Sequence, residues 1–397
     1  MPSVEKIRAY AGPALFSFGF RPFFLAGALL AGLLPVVTAA ALGGRFEVGG
    51  AYGPFAWHGH EMVYGYLAAV IAGFLTTAVP NWTGRMPVVG APLAGSLLIW
   101  LAGRIAVAMS GAFGLWAAAA IDVAFLLGVS FFVWREIVAG RNWRNLPVCA
   151  LLTLFAAGDI IWHGEQLSGA QTGLGYRWGL AGVAMLLALI GGRITPSFTR
   201  NWLARTGRAP IKAGVGAIDS VALALAGAAM AVWTVAPFGP LTGILLVVAG
   251  VAHLLRLSQW GGLRTFAEPL VTILHVGYLW LPASFLMLGL SALAPGAVPP
   301  MAALHALAAG AAGVMTLAVM TRATRGHTGR PLVADGWTVL IYALVNLGAA
   351  LRVAAPFLPV EYALAVGASS GLWSAAFLLF AIVYGRYLIA PRPGRAT

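Results

Sequence analysis

The sequence predicts an all-α polytopic membrane protein with about 12 transmembrane helices, arranged as three four-helix repeats. Three observations carry that prediction. The 397 residues are 60% hydrophobic and only 9% charged, with a mean hydropathy of +0.89, which leaves too little polar surface for a soluble protein. The apolar residues gather in stretches of roughly 20, the length at which a helix crosses a bilayer. The stretches also recur at a fixed interval, so one architecture is used more than once.

In chain order the stretches cover 17–37, 57–79, 91–110, 115–134, 146–163, 177–195, 213–234, 239–256, 268–291, 301–321, 335–353 and 362–386. The first follows a short segment with Glu5, Lys6 and Arg8. It is longer than a signal-peptide core and lacks a small-residue cleavage site, so it is read as helix 1. Helices 2, 6 and 10 begin near 57, 177 and 301, giving pseudo-repeats over approximately 15–140, 145–262 and 265–390 of a single membrane domain, 1–397. The outer two repeats match best. His60 and His305, Gly65 and Gly310, Thr76 and Thr321, and the closing Thr83-Gly84-Arg85 and Thr328-Gly329-Arg330 are all 245 residues apart. The middle repeat has Tyr176 and Arg177 where the others open with histidine.

The net charge of +13 could suggest nucleic acid, but the 24 lysines and arginines are sorted by loop. With the N-terminus inside, 20 of them fall on the inner side: Lys6, Arg8, Arg21, Arg85, Arg135, Arg141, Arg144, Arg193, Arg200, Arg205, Arg208, Lys212, Arg256, Arg264, Arg322, Arg325, Arg330, Arg386, Arg392 and Arg395. Only Arg45, Arg104, Arg177 and Arg352 fall outside. That bias predicts cytoplasmic termini and an even helix count, and makes the basic balance a topology signal rather than a nucleic-acid surface. The lone cysteine, Cys149, excludes an internal disulfide, a cysteine-ligated iron–sulfur cluster and covalent CxxCH heme.

Topology places His58, His60, His163 and His305 toward the outer face, His275 near the middle of helix 9, His253 in the inner part of helix 8 and His327 in a loop. Imidazole ligates heme iron and copper, and facing helices can present two rings across one cofactor. His60 and His305 have that relation, while the bland alternative is a pair of helix-end histidines bonded to loops or water. His58 and His60, two residues apart, point in different directions on a helix, so His58 is expected to join His163 at a second metal or to be a loop histidine. His253 and His275 read first as buried, hydrogen-bonded residues, and as ligands second.

Arg104 and Arg352, 248 residues apart, break the charge sorting together. Each either snorkels to headgroups or forms bidentate bonds to an anion such as a heme propionate, with Arg177 a third candidate. Among the acidic residues, Asp122, Asp159 and Asp219 lie within helices and Glu61, Glu165 and Glu268 near helix ends. Each pairs with an arginine, caps a helix or carries protons. Glu61, beside His60, and Asp159, one turn before His163 and on its face, are the candidates for proton delivery.

Phe18-Gly19-Phe20-Arg21-Pro22-Phe23-Phe24, His58-Gly59-His60-Glu61-Met62 and Gly73-Phe74-Leu75-Thr76-Thr77-Ala78-Val79-Pro80-Asn81-Trp82-Thr83-Gly84 resemble the NnrS family, most specifically in the first eighty-five residues and by layout beyond them. The resemblance implies a bacterial inner-membrane protein of nitric oxide metabolism and nitrosative stress that contains heme and copper. On that reading the cofactors are one or two b-type hemes, held without covalent linkage, and copper. The layout also resembles the catalytic subunit of heme-copper oxidases and nitric oxide reductases, an architectural analogy from which the chain departs because helices 6 and 7 have no histidine.

Three functions follow. The first is a heme-dependent oxidoreductase that reduces nitric oxide to nitrous oxide with electrons from quinol or a separate redox protein. The second is a nitric oxide binder or sensor without turnover. The third is a metal-complex transporter, disfavoured because twelve-helix transporters usually divide into two six-helix halves.

Overall fold

Backbone groups in a bilayer must be satisfied within the segment, and the computed structural model meets that demand with helices throughout. Residues 10–211 and 216–393 are described, and none of them forms a strand; Glu5, Lys6, Arg8, Lys212 and Arg395 lie outside them. Among the described residues twelve helices are long and apolar enough to cross a membrane: α1 Phe20–Leu42, α2 Gly50–Thr83, α3 Ala91–Ala108, α4 Leu115–Ala139, α5 Trp143–Ser168, α6 Leu174–Arg205, α7 Ala217–Val235, α8 Pro240–Arg264, α9 Pro269–Leu293, α10 Pro300–His327, α11 Gly336–Phe357 and α12 Tyr362–Ile389. The chain is a multi-pass membrane protein. Large apolar side chains such as Phe55, Trp116, Phe131 and Ile382 remain exposed, as helices facing lipid require.

The helices overrun the apolar stretches at identifiable places. α2 starts at Gly50 rather than 57, because a 3₁₀ turn over Gly50–Tyr52 leads into a helix with Pro54 in its first turn, where proline loses no hydrogen bond. α10 continues to His327, so this histidine ends a helix instead of sitting in a loop; its ring stacks on Phe18 at 5.7 Å.

Helices α2, α6 and α10 each contain a π-helical turn, at Glu61–Leu67, Leu187–Gly191 and Ala306–Gly313. A π turn widens the helix and releases carbonyls to other donors. Trp100 Nε1 donates to the Gly65 carbonyl at 3.0 Å, and Arg256 Nη1 to the Ala188 carbonyl at 2.7 Å.

The chain divides into two compact units. The first comprises Met1–Gly179, Ala323–Pro331 and Phe377–Thr397. Within it α1 packs on α2, α2 on α4, and α4 on α3 and α5, around fully buried Phe23, Phe24 and Phe155. The Phe-Gly-Phe-Arg segment is a packing joint: Phe20 N donates to Thr77 Oγ1 at 3.0 Å, and Arg21 Nη1 donates to the carbonyls of Leu388 and Ala390 at 2.8 Å each. The second unit comprises Leu180–Arg322 and Leu332–Ala376. Within it α8 packs on α7 and α9, and α10 on α9 and α11. Its buried polar residues pair locally, as with Arg256 Nε and Asp219 Oδ1 at 2.7 Å.

Candidate metal centre

Four of the first unit's helices bring polar side chains to one place. Antiparallel neighbours alternate in direction, so the first halves of α2 and α4 meet the second halves of α3 and α5. His60, Arg104, Asp122, Asp159 and His163 lie in those halves. Asp159 and His163 share a face of α5 by their i, i+4 spacing. His60 is fully buried, and Glu61, Asp122, Asp159 and His163 are 1–2% exposed.

The geometry is convergent. His60 Nε2 lies 3.0 Å from both Asp122 Oδ2 and Asp159 Oδ1. His163 Nε2 lies 3.1 Å from the same Asp122 oxygen and 3.8 Å from the same Asp159 oxygen. One ligand atom from each of the four residues falls within 4.8 Å of all the others, and this is the group among the described residues able to hold a metal ion.

An outer layer holds the inner one in place. His60 Nδ1 meets Glu61 Oε1 at 3.1 Å, and His163 Nδ1 meets the Tyr52 hydroxyl at 3.1 Å. A metal-ligating histidine commonly bonds through its other ring nitrogen in this way, which sets its tautomer and orientation. Arg104 Nη2 donates to Asp122 Oδ1, and Arg104 Nε faces Glu61 Oε2 at 3.3 Å. The Trp162 ring lies 4.1 Å from the His60 ring, tilted by 38°, and, with Tyr64 at 5.4 Å, walls the site with aromatic surface. Gly65, inside the π turn of α2, is needed for this packing: a methyl group there would come within 2.6 Å of Arg104 Nη1 and 2.8 Å of Glu61 Oε2.

The remaining expected residues have other surroundings. His58 is half-buried with Nδ1 3.0 Å from Thr38 Oγ1. The expected pairing of His58 with His163 is therefore corrected: His163 joins His60, because residues two apart on a helix face different neighbours. Arg104, expected at a propionate or the headgroups, is buried against Asp122 and Glu61, since a guanidinium inside the bundle is stabilised by carboxylates within reach. Arg352 is half-buried and donates to the Tyr362 hydroxyl at 2.9 Å, and Arg177 donates to the Thr172 carbonyl at 2.8 Å. His305 is half-buried in the second unit, its Nδ1 2.7 Å from the Met301 carbonyl.

His253 bonds to the Tyr278 hydroxyl and the Ala222 carbonyl at 2.8 and 3.1 Å. His275 bonds to Thr199 Oγ1 at 2.8 Å. Both fit the buried, hydrogen-bonded reading. Glu165 accepts from Leu174 N and Gly175 N at 2.9 and 3.0 Å, and Glu268 caps α9 through Leu270 N at 3.1 Å; both are helix caps. The sequence reading noted Asp122 without placing it at the site and missed Tyr52. The available signal for Asp122 was an isolated carboxylate within an apolar span, which is costly without a partner.

Nitrogen and carboxylate oxygen donors without sulfur suit first-row divalent ions, Cu2+ included. A porphyrin does not fit on His60: two carboxylate oxygens crowd the nitrogen that would bind its iron, and His163 Nε2 approaches the same oxygens.

The family described as NnrS protein matches residues 14–392, nearly the whole chain. The chain belongs to the NnrS family. Membership suggests a role linked to nitric oxide, and the family is associated with metal and heme binding. Among curated proteins none is similar enough to match.

Proposed function

We propose that this NnrS chain is a membrane metalloprotein that binds nitric oxide at the His60–Asp122–Asp159–His163 site and reduces it to nitrous oxide. The observation that carries the reading is the convergence of four ligand atoms within 4.8 Å inside membrane-spanning helices of a nitric oxide-linked family. The balanced reaction takes two nitric oxide molecules and one quinol to nitrous oxide, water and quinone; a separate redox protein with two protons is the equivalent donor. A transition metal bound there supplies the affinity for nitric oxide and the redox capacity.

The protein's own residues do the rest. His60, His163, Asp122 and Asp159 bind the ion, Glu61 and Tyr52 orient the two imidazoles, and Trp162 and Tyr64 exclude water. Of the two carboxylates read from sequence as proton carriers, Glu61 keeps that role. Its Oε1 is on the His60 ring and its Oε2 lies 3.3 Å from Arg104 Nε, which puts its carboxyl beside the site, whereas Asp159 serves as a ligand. Arg104 holds Glu61 and Asp122 together.

The same reading places the protein in a bacterial inner membrane with both termini cytoplasmic, supported by the 20-to-4 sorting of basic residues. It also keeps the three-repeat layout. In its support, the π turns of α2 and α10 begin at Glu61 and Ala306, 245 residues apart, and α6 carries a third.

The test is nitrous oxide formation by the purified chain in lipid nanodiscs with a quinol analogue and nitric oxide. Formation that disappears in His60→Ala and survives in His58→Ala is expected. Nitric oxide binding without nitrous oxide would leave a binder, and neither would sink the reading.

A further inference from the structure

We infer that the end of α12 carries a binding site for the phosphate headgroup of an anionic phospholipid, built by Arg330, Arg386 and Arg392 around Tyr387. The site is separate from the buried histidines and carboxylates, and its occupancy is read without nitric oxide.

Charge is the first support. Helices α10 and α12 both end in the first unit, at His327 and Ile389, and arginines gather there. The Arg330 guanidinium stands 3.9 Å from the centre of the Tyr387 ring and that of Arg386 4.9 Å from it, both within cation–π range. Arg392 lies across Gly329, where a methyl group would come within 2.5 Å of its Nε. None of these three arginines has an ion-pair partner among the described residues, in contrast to Arg85, Arg104 and Arg135 of the same unit. Burial lowers the pKa of Arg330, and the charges of Arg386 and Arg325 lower it further against the opposing effect of Tyr387. Cations crowded together without a carboxylate are stabilised by an anion from outside the chain.

The second support is a rigid frame with donors to spare. Arg325 and Arg21, both buried, hold the helix end: Arg325 Nε donates to the Tyr384 hydroxyl at 3.0 Å, and Arg21 Nη1 to the carbonyls of Leu388 and Ala390. The Tyr384 ring meets that of Tyr387 edge-on at 5.7 Å. Arg386 commits Nε to the Val383 carbonyl and Nη2 to the Tyr387 hydroxyl, and Arg330 commits Nη1 to the Thr328 carbonyl. A guanidinium has five N–H donors, so each keeps others for a ligand, in the fork geometry that matches phosphate oxygens.

The third support assigns the phosphate to a lipid. Ile382, Arg386 and Ile389 follow one another at i, i+4 and i+7, which puts them on one face of α12. Ile382 is 73% and Ile389 56% exposed, and Arg386 is exposed between them. An apolar stripe that runs into guanidiniums at the helix end matches an acyl chain and its anionic headgroup, whereas free phosphate has no use for the isoleucines. Basic residues clustered beside a membrane span bind anionic lipids in this way. Charge sorting across the membrane accounts for an excess of arginine on one side, but not for three of them around one tyrosine. On the orientation proposed above, the lipid belongs to the inner leaflet.

The full chain is purified in detergent, washed free of lipid and titrated with phosphatidylglycerol, phosphatidylcholine or sodium phosphate. Bound lipid is counted by native mass spectrometry and Tm is followed in parallel. Phosphatidylglycerol should bind saturably, at about one molecule per chain, raise Tm, and weaken as salt is added. Phosphatidylcholine should do neither at the same concentrations. Arg330→Gln and Arg386→Gln should each weaken phosphatidylglycerol binding about fivefold. Arg144→Gln removes the same charge from an exposed position at the start of α5 and should leave binding unchanged. Equal binding of phosphatidylcholine overturns the inference, and so does sodium phosphate that binds as tightly as the lipid, since the ligand is then a free anion. Equal weakening by Arg144→Gln and Arg386→Gln overturns it in favour of diffuse surface charge. If a variant fails to accumulate, the lipid preference and salt dependence of the parent chain still decide.

Discussion

At His60 the helix α2 opens into a π turn over Glu61–Leu67, and at His305 the helix α10 does so over Ala306–Gly313. The two histidines, the two turns and the glycines at 65 and 310 keep one offset, but the surroundings differ. Position 61 is glutamate and position 306 alanine. His60 faces carboxylates from α4 and α5, whereas His305 bonds back to Met301 one turn earlier on its own helix. Gly65 makes room for Arg104 and Glu61; Gly310 makes room for the Trp280 ring, which a methyl group would approach to 2.4 Å. The arginines diverge too, Arg104 buried between two carboxylates and Arg352 half-buried on Tyr362. The repeat thus preserves a backbone device, while the chemistry depends on what neighbouring helices bring to it.

Breaking the difference at its core should give the largest effect. His163→Ala removes the bound ion and nitric oxide turnover, and His305→Ala leaves the ion in place; equal metal loss in the two, by elemental analysis, would make the halves functionally equivalent.

The arginines come next. Arg104→Ala strands Asp122 and Glu61 in the interior and is expected to cost about 3–5 kcal/mol. Arg352→Ala, at a half-buried site, should cost less than about 1 kcal/mol. Denaturant melts of both variants in the same detergent check this, and comparable losses would contradict the assigned environments.

The glycines separate packing from chemistry. Gly65→Ala and Gly310→Ala both force neighbours to shift and should each cost about 1–3 kcal/mol by overpacking. Only Gly65→Ala should also lower metal content.

The smallest effect sharpens the outer layer. Tyr52→Phe deletes the hydroxyl beside His163 Nδ1 and should weaken metal affinity roughly tenfold, measured by competition with a chelator. Unchanged affinity would reduce Tyr52 to packing.

Much of this was legible in residues taken one at a time. Twelve apolar stretches marked twelve helices because a bilayer imposes length and composition on any spanning segment. His60, Glu61, Arg104, Asp159 and His163 stood out because ionisable groups in such segments are costly without partners, and the i, i+4 spacing put Asp159 and His163 on one face. The extra length of α2 and α10 was not legible: their ends are held by a 3₁₀ turn, an N-terminal proline and polar residues that hydropathy discounts. The π turns were not legible either, since they add no hydrophobic signature of their own.

By itself the sequence determined that the chain crosses a membrane many times, that two histidines head equivalent segments, and which few charged groups the interior must accommodate. Tertiary structure decided which of those groups meet. His163 was paired with His60 and not with His58, Arg104 was turned toward Asp122 and Glu61, and Tyr52 was brought to the site. The reason is physical: periodicity sets the face of a helix on which a side chain stands, but only the packing of α2, α3, α4 and α5 sets which faces meet, and burial then requires the charges that meet to compensate one another.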